Sequence, residues 1–108
     1  MTLFACPYLK GEVELNEERE RHILERHPEL VLDLRQLIAD TLMTPDRVRR
    51  TARLENARLF SRWFPQVRGG KHVVIVVITE SGQPHRHWII TSYLARRLAG
   101  GETEWQQN

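Results

Sequence analysis

The chain has one cysteine, Cys6, so no internal disulfide can staple it. Its longest uninterrupted apolar run is Val73–Ile78, far short of the roughly 20 residues of a membrane-spanning helix. The N-terminus lacks the charged region and long apolar stretch of a secretory leader. A reducing, cytoplasmic setting without membrane contact is expected. Several chemistries lack their motifs. Gly69-Gly70-Lys71 is followed by His72 and does not complete a Walker loop. There is no dinucleotide fingerprint, no zincin histidine pair and no nucleophile elbow. What is present is 108 residues with 41% hydrophobic and 28% charged composition. This is enough for one small core and argues against disorder, so residues 1–108 read as a single domain.

Net charge is only +2, but it is unevenly spread. The stretch Gly11–Asp33 holds eight acids against Arg19, Arg21 and Arg26. The stretch Arg47–Lys71 holds eight bases against Glu55. Arginine supplies 14 of the 16 cations, and its planar fork suits phosphate oxygens. The basic middle, with Arg47, Arg49, Arg50, Arg58 and Lys71, fits an RNA backbone as partner. A solvated arginine-rich surface fits the same charges.

Helical signals come first. Asn16 can cap a helix over Glu17–His27, with acids in its first turn and Leu15 as a staple. Pro28 stops it. Leu30, Leu34, Leu37, Ile38 and Leu42 then predict an amphipathic helix over Glu29–Met43. Beyond Pro45 the period falls toward two. Arg47–Arg53 alternates weakly, as an exposed strand would. Strands are expected over 58–64, 72–79 and 86–94. Turns are expected at 54–56 and 80–84. Six consecutive Val and Ile residues mark 72–79 as a central strand buried on both faces. The expected architecture is α+β, two N-terminal helices packed on a four-stranded antiparallel sheet.

If the helices cover one face, the other is free to be a site. Arg62, Thr91 and Tyr93 would supply a cation and hydroxyls for a phosphodiester, although Thr and Tyr are also ordinary strand formers. His22 and His27 lie on the polar helix beside Arg26, where imidazole can move protons near neutral pH. A helix-end histidine donating to a carbonyl reads equally well there. His85 and His87 lack the further acidic or cysteine ligands of a metal centre. No metal and no cofactor is expected. Cys6 is placed outside the core.

The run Leu15-Asn16-Glu17-Glu18-Arg19-Glu20-Arg21-His22-Ile23-Leu24-Glu25-Arg26-His27-Pro28-Glu29 resembles the T-E-E-R-x-x-H-I-x-x-R-H-P-E opening of small phage and bacterial proteins grouped with barnase, EndoU, colicin-type and RelE-like nucleases. The resemblance continues through Thr44-Pro45-Asp46-Arg47-Val48, then Arg58-Leu59-Phe60 with Arg62, then Lys71, and ends at Thr91-Ser92-Tyr93. It covers roughly residues 13–105. It implies two helices on a four-stranded antiparallel sheet and metal-independent RNA cleavage of toxin or phage-conflict type, with a cognate inhibitor protein as a partner. Carried over by position, the implied site is His22, Arg26, His27, Arg62, Lys71, Thr91 and Tyr93. The RNA's own 2′-hydroxyl would attack phosphorus while His27, or else His22, moves protons. The rival expectation is a non-catalytic RNA- or protein-binding module on the same fold. Catalysis requires a histidine to converge with Thr91 and Tyr93 on one cleft.

Overall fold

The computed structural model describes residues 1–51, 53–54, 56–82 and 85–108. The turns expected at 54–56 and 80–84 include residues 55, 83 and 84, which lie outside the described residues, as does residue 52 in the expected 47–53 strand.

Strand β1 (Thr2–Cys6) and strand β2 (Gly11–Leu15) form a hairpin around a short 3₁₀ turn, Pro7–Leu9. Helix α1 (Glu17–Arg26) follows. The Asn16 side chain accepts the Arg19 N–H at 2.7 Å, which satisfies one of the helix's orphan donors. Pro28 ends α1 as expected, but the next helix does not start at Glu29. Pro28–Leu30 forms a 3₁₀ turn, and α2 spans Leu34–Met43. Val31 and Leu32 fall off the apolar stripe and stay exposed, so an earlier start would bury nothing. Within α2 the buried residues Leu34, Leu37, Ile38, Thr41 and Leu42 form one continuous stripe.

The C-terminal half supplies β3 (Arg47–Arg50), β4 (Ala57–Phe64), β5 (Lys71–Glu80), β6 (Arg86–Ala95) and β7 (Glu102–Gln106). The class is α+β, but the four-stranded antiparallel sheet is corrected to a seven-stranded mixed one in the order β1-β2-β6-β5-β4-β3-β7. Among the described residues, only β2 and β6 run parallel, across a contact of two residue pairs, Val13 with His87 and Glu14 with Trp88. The extra strands carry weak hydrophobic signals. β1 buries only Phe4 and Cys6, and β7 is exposed throughout. β3 sits between β4 and β7, and this burial of Val48 and Arg49 corrects the expected exposed strand.

Helix α2 lies across β1, β4 and β5, and α1 lies along β6. Ile23, Leu37, Ile38 and Leu42 pack there on Phe60, Phe64, Val73, Ile75 and Val77. Cys6 belongs to this core and is fully buried, which corrects its placement outside it; burial pushes its thiol up. The opposite face has its own layer of Leu59, Val74, Val76 and Ile78, joined by Tyr93 and Leu98. Both faces of β5 are therefore buried, which accounts for its unbroken Val/Ile run.

The sheet curls until its two edges meet. Tyr8, from the β1–β2 turn, packs edge-on against Phe60 at 5.8 Å and lies 6.0 Å from Trp105 of β7. Its phenol donates to Glu104 at 2.5 Å. The same carboxylate accepts from Arg50 at 2.7 Å and from Arg58 at 2.9 Å. Burial alone would raise the Glu104 carboxyl, but these three donors outweigh it and hold its pKa at about 2. Burial and the acid partner together push the Tyr8 phenol up to about 12.

Candidate functional site

Strand β6 leaves β2 after Trp88, so its outer edge continues alongside α1 rather than another strand. The register against β5 shifts there: Val76 faces Thr91 but Val77 faces Ile89. The extra residue, Ile90, forms a bulge, a distortion that re-aims neighbouring side chains. Ile90 and Thr91 together close the floor of a cleft of about 350 Å³ whose wall is Arg19, His22, Ile23 and Arg26 of α1. Arg19, His22 and Arg26 are spaced three and four apart, on one helix face.

The charge pattern of α1 marks this face. Glu20 is held by Arg35 through two hydrogen bonds at 2.7 and 2.8 Å. Glu25 pairs with Arg21 at 3.9 Å, and Glu18 lies 3.8 Å from His22 Nε2. Among the described residues, no carboxylate lies within ion-pair distance of Arg19 or Arg26. An acidic helix thus presents two unpaired guanidiniums and one imidazole to a single cleft floored by Ile90 and Thr91, while the Thr91 side chain, paired with Val76, heads for the sheet face away from the helices. Spaced about 10 Å along the helix axis, two side chains this long can converge on one phosphate.

The other expected site residues go elsewhere. His27 caps the end of α1, with Nδ1 3.6 Å from the Glu29 carboxylate, and does not line the cleft. Arg62 faces the helices. It donates to the Asp40 carbonyl at 3.2 Å and to the Thr44 hydroxyl at 2.5 Å, and stacks over Phe64 at 5.2 Å. It thus satisfies the C-terminal end of α2, and Arg62, Thr91 and Tyr93 do not share a face. Tyr93 follows Thr91 on the same side of β6, where its phenol reaches the Arg49 guanidinium.

The basic middle is largely engaged within the fold. Arg49 is 3% exposed and donates to the carbonyls of Ala99 and Gly100 at 3.0 and 2.6 Å. Its Nε is buried without a partner, and burial pulls its pKa down. Arg50 and Arg58 hold Glu104. Lys71 folds back onto the carbonyls of Arg68 and Gly70. Arg47 lines an open cleft with His72. His87 is buried and hydrogen-bonded to Thr79 at 2.8 Å, and burial lowers its pKa. Among the described residues, no group of three or more His, Cys, Asp or Glu gathers around one point. No helix among them is long and apolar enough to cross a membrane.

Arg19 was missed by the sequence reading, although its spacing from His22 and Arg26 was visible. The bulge that brings Thr91 to them was not, because it depends on β5 pairing. Comparison of the chain with family models, curated proteins and solved structures finds no match.

Proposed function

We propose that the α1–β6 cleft binds a phosphodiester of RNA and that the protein is an endoribonuclease acting through the substrate's 2′-hydroxyl. The observation that carries this reading is the unpaired state of Arg19 and Arg26 around His22 on an otherwise acid-neutralised helix. Leaving two guanidiniums without a carboxylate on a helix rich in acids favours an external anion.

The chemistry follows from the groups present. The 2′-oxygen bonds to phosphorus, and its proton passes to His22. The bond from phosphorus to the 5′-oxygen breaks, and the imidazolium returns the proton to that leaving oxygen. The products are a 2′,3′-cyclic phosphate and a 5′-hydroxyl end. Arg19 and Arg26 offset the charge that accumulates on phosphorus oxygens. Tyr93, on the sheet face away from the helices, reaches the Arg49 guanidinium rather than the cleft. This assigns proton transfer to His22, which lines the cleft, rather than to His27, which does not.

The resemblance to barnase-, EndoU-, colicin- and RelE-like nucleases points the same way, as does its toxin or phage-conflict setting with an inhibitor protein. A lone buried thiol suits a cytoplasmic protein. The experiment is incubation of the purified protein with mixed RNA beside His22→Ala and His27→Ala. Cleavage by wild type and His27→Ala but not by His22→Ala is expected. Binding without cleavage by wild type selects the non-catalytic module.

A further inference from the structure

The far end of the β4–β5 hairpin carries an aromatic ring that the core does not use. Trp63 is 43% exposed. It lies on the face away from the helices, opposite His72, with ring centroids 4.9 Å apart in an edge-to-face arrangement. The turn beneath it contains Gly70 at φ +102°, a backbone conformation that favours glycine. A Cβ at Gly70 would stand 2.6 Å from the indole Cζ2 and 2.9 Å from Cη2. The indole therefore rests against bare backbone. The Trp63 N–H of the main chain donates to the Asp46 carboxylate at 2.7 Å, which fixes the strand at this point. A large apolar ring is thus immobilised from two sides and left open on the rest.

A cation stands beside it. Arg47 pairs with Ser61, two residues before Trp63, and so projects from the same face. It lines an open cleft of about 230 Å³ together with Asp46 and His72, and no carboxylate lies within ion-pair distance of its guanidinium among the described residues. Arg68, on the adjoining turn, lines the helix-side cleft with Glu29, Asp33 and Asp40, and Lys71 pairs with Phe64 on the helix face and folds onto the carbonyls of Arg68 and Gly70. A fixed, open π-face beside a free guanidinium is what sequence-tolerant binding of single-stranded nucleic acid uses. Bases stack on the ring while the cations track the backbone. A protein partner would gain less here, because the ring stands singly rather than within a broad apolar patch.

We propose that Trp63 is a base-stacking platform for single-stranded RNA, with Arg47 holding a flanking phosphate. The proposal rests on the RNA-binding part of the preceding reading and not on its chemistry. Thr91 and Trp63 are separated by four residues along β6 and two strand spacings, roughly 16 Å on the sheet surface. One strand of RNA can therefore place a phosphate in the α1–β6 cleft and a base, a few nucleotides away, on Trp63. The ring's prior immobilisation lowers the ordering cost of binding.

The test uses a short single-stranded 2′-O-methyl oligonucleotide, which lacks the hydroxyl needed for its own cleavage. Wild-type protein should bind it. Trp63→Ala should weaken binding about 10-fold or more, and Trp63→Phe should recover most of that loss. Arg47→Gln should reduce the slope of log affinity against log salt by about one. Leu32→Ser, which alters a more exposed apolar side chain on the helical side, should change nothing. Equal affinity of Trp63→Ala and wild type overturns the platform, even if RNA is cleaved and the nuclease reading stands. Trp63-dependent binding without RNA cleavage upholds the platform and defeats the nuclease reading. Failure of wild type to bind the oligonucleotide overturns the platform outright, as does Trp63-dependent capture of an acidic peptide in place of it.

Discussion

Glu104→Gln isolates the contact that closes the curled sheet. The Glu104 carboxyl sits at about 2 against an ordinary 4.5. At about 1.36 kcal/mol for each tenfold change in proton affinity, that difference sets a ceiling of roughly 3.4 kcal/mol. A quarter of the side chain still meets water, and solvent screening brings the expected contribution to roughly 1–2 kcal/mol. The sign follows from the lowered pKa. Above pH 4.5 the carboxylate is ionised in folded and unfolded chains alike, and the full stabilisation is present. It drains away as pH falls from 4.5 through about 2. Tyr8 behaves oppositely, because its raised pKa stabilises below pH 10 and is lost as pH rises through about 12. Urea unfolding at neutral pH should therefore show Glu104→Gln less stable by roughly 1–2 kcal/mol, equivalent to about 5–10 °C in Tm. The gap between the two proteins should close as pH approaches the folded pKa. A gap of the same size at pH 7 and at pH 2 would show that the carboxylate's charge does not hold β7 to the β1–β2 turn.

Four further outcomes are expected. Arg19→Ala and Arg26→Ala should each lower cleavage about 100-fold or more while leaving thermal stability nearly unchanged, measured as kcat/KM and Tm on the same preparations. Arg49→Ala should cost about 2–4 kcal/mol of stability, because it opens a buried site and strips two carbonyls of their donor, whereas Arg62→Ala should cost about 1 kcal/mol; equal losses in urea would contradict the difference in burial. Gly70→Ala should lower affinity for single-stranded RNA by displacing the Trp63 ring, and unchanged indole emission in that variant would show that the ring does not rest on the turn. RNA cleavage should persist in EDTA, since the cleft is lined by cations rather than carboxylates; activity restored only by added magnesium would oppose this.

The sequence discloses elements that carry their own periodicity. The α2 stripe, the Asn16 cap and the doubly buried β5 run are local patterns, and each stands where they indicate. The outer strands are different. β1 has two inward residues, and β7 has none, so pairing partners rather than hydrophobic pattern make them strands. The parallel contact of β2 with β6 joins residues more than 70 positions apart and leaves no local trace. The site divides along the same line. His22 and Arg26 share a helix face by spacing alone, but the arrival of Thr91 beside them depends on a bulge set by β5. Arg62 alternates as a site residue would, yet its side faces the end of α2. Arg49, within the strand that looked exposed, is the buried arginine of the chain's basic middle. Alternation reports which residues share a face, and only the packed helices decide which face that is.

End-group analysis of RNA fragments made by the purified protein tests the central claim most directly. If His22 moves the proton of a substrate 2′-hydroxyl in the α1–β6 cleft, fragments carry 2′,3′-cyclic phosphate and 5′-hydroxyl ends. The His22→Ala protein, still folded, then yields none. Intact RNA with wild type, fragments with 5′-phosphate ends, or undiminished cleavage by His22→Ala would contradict the account.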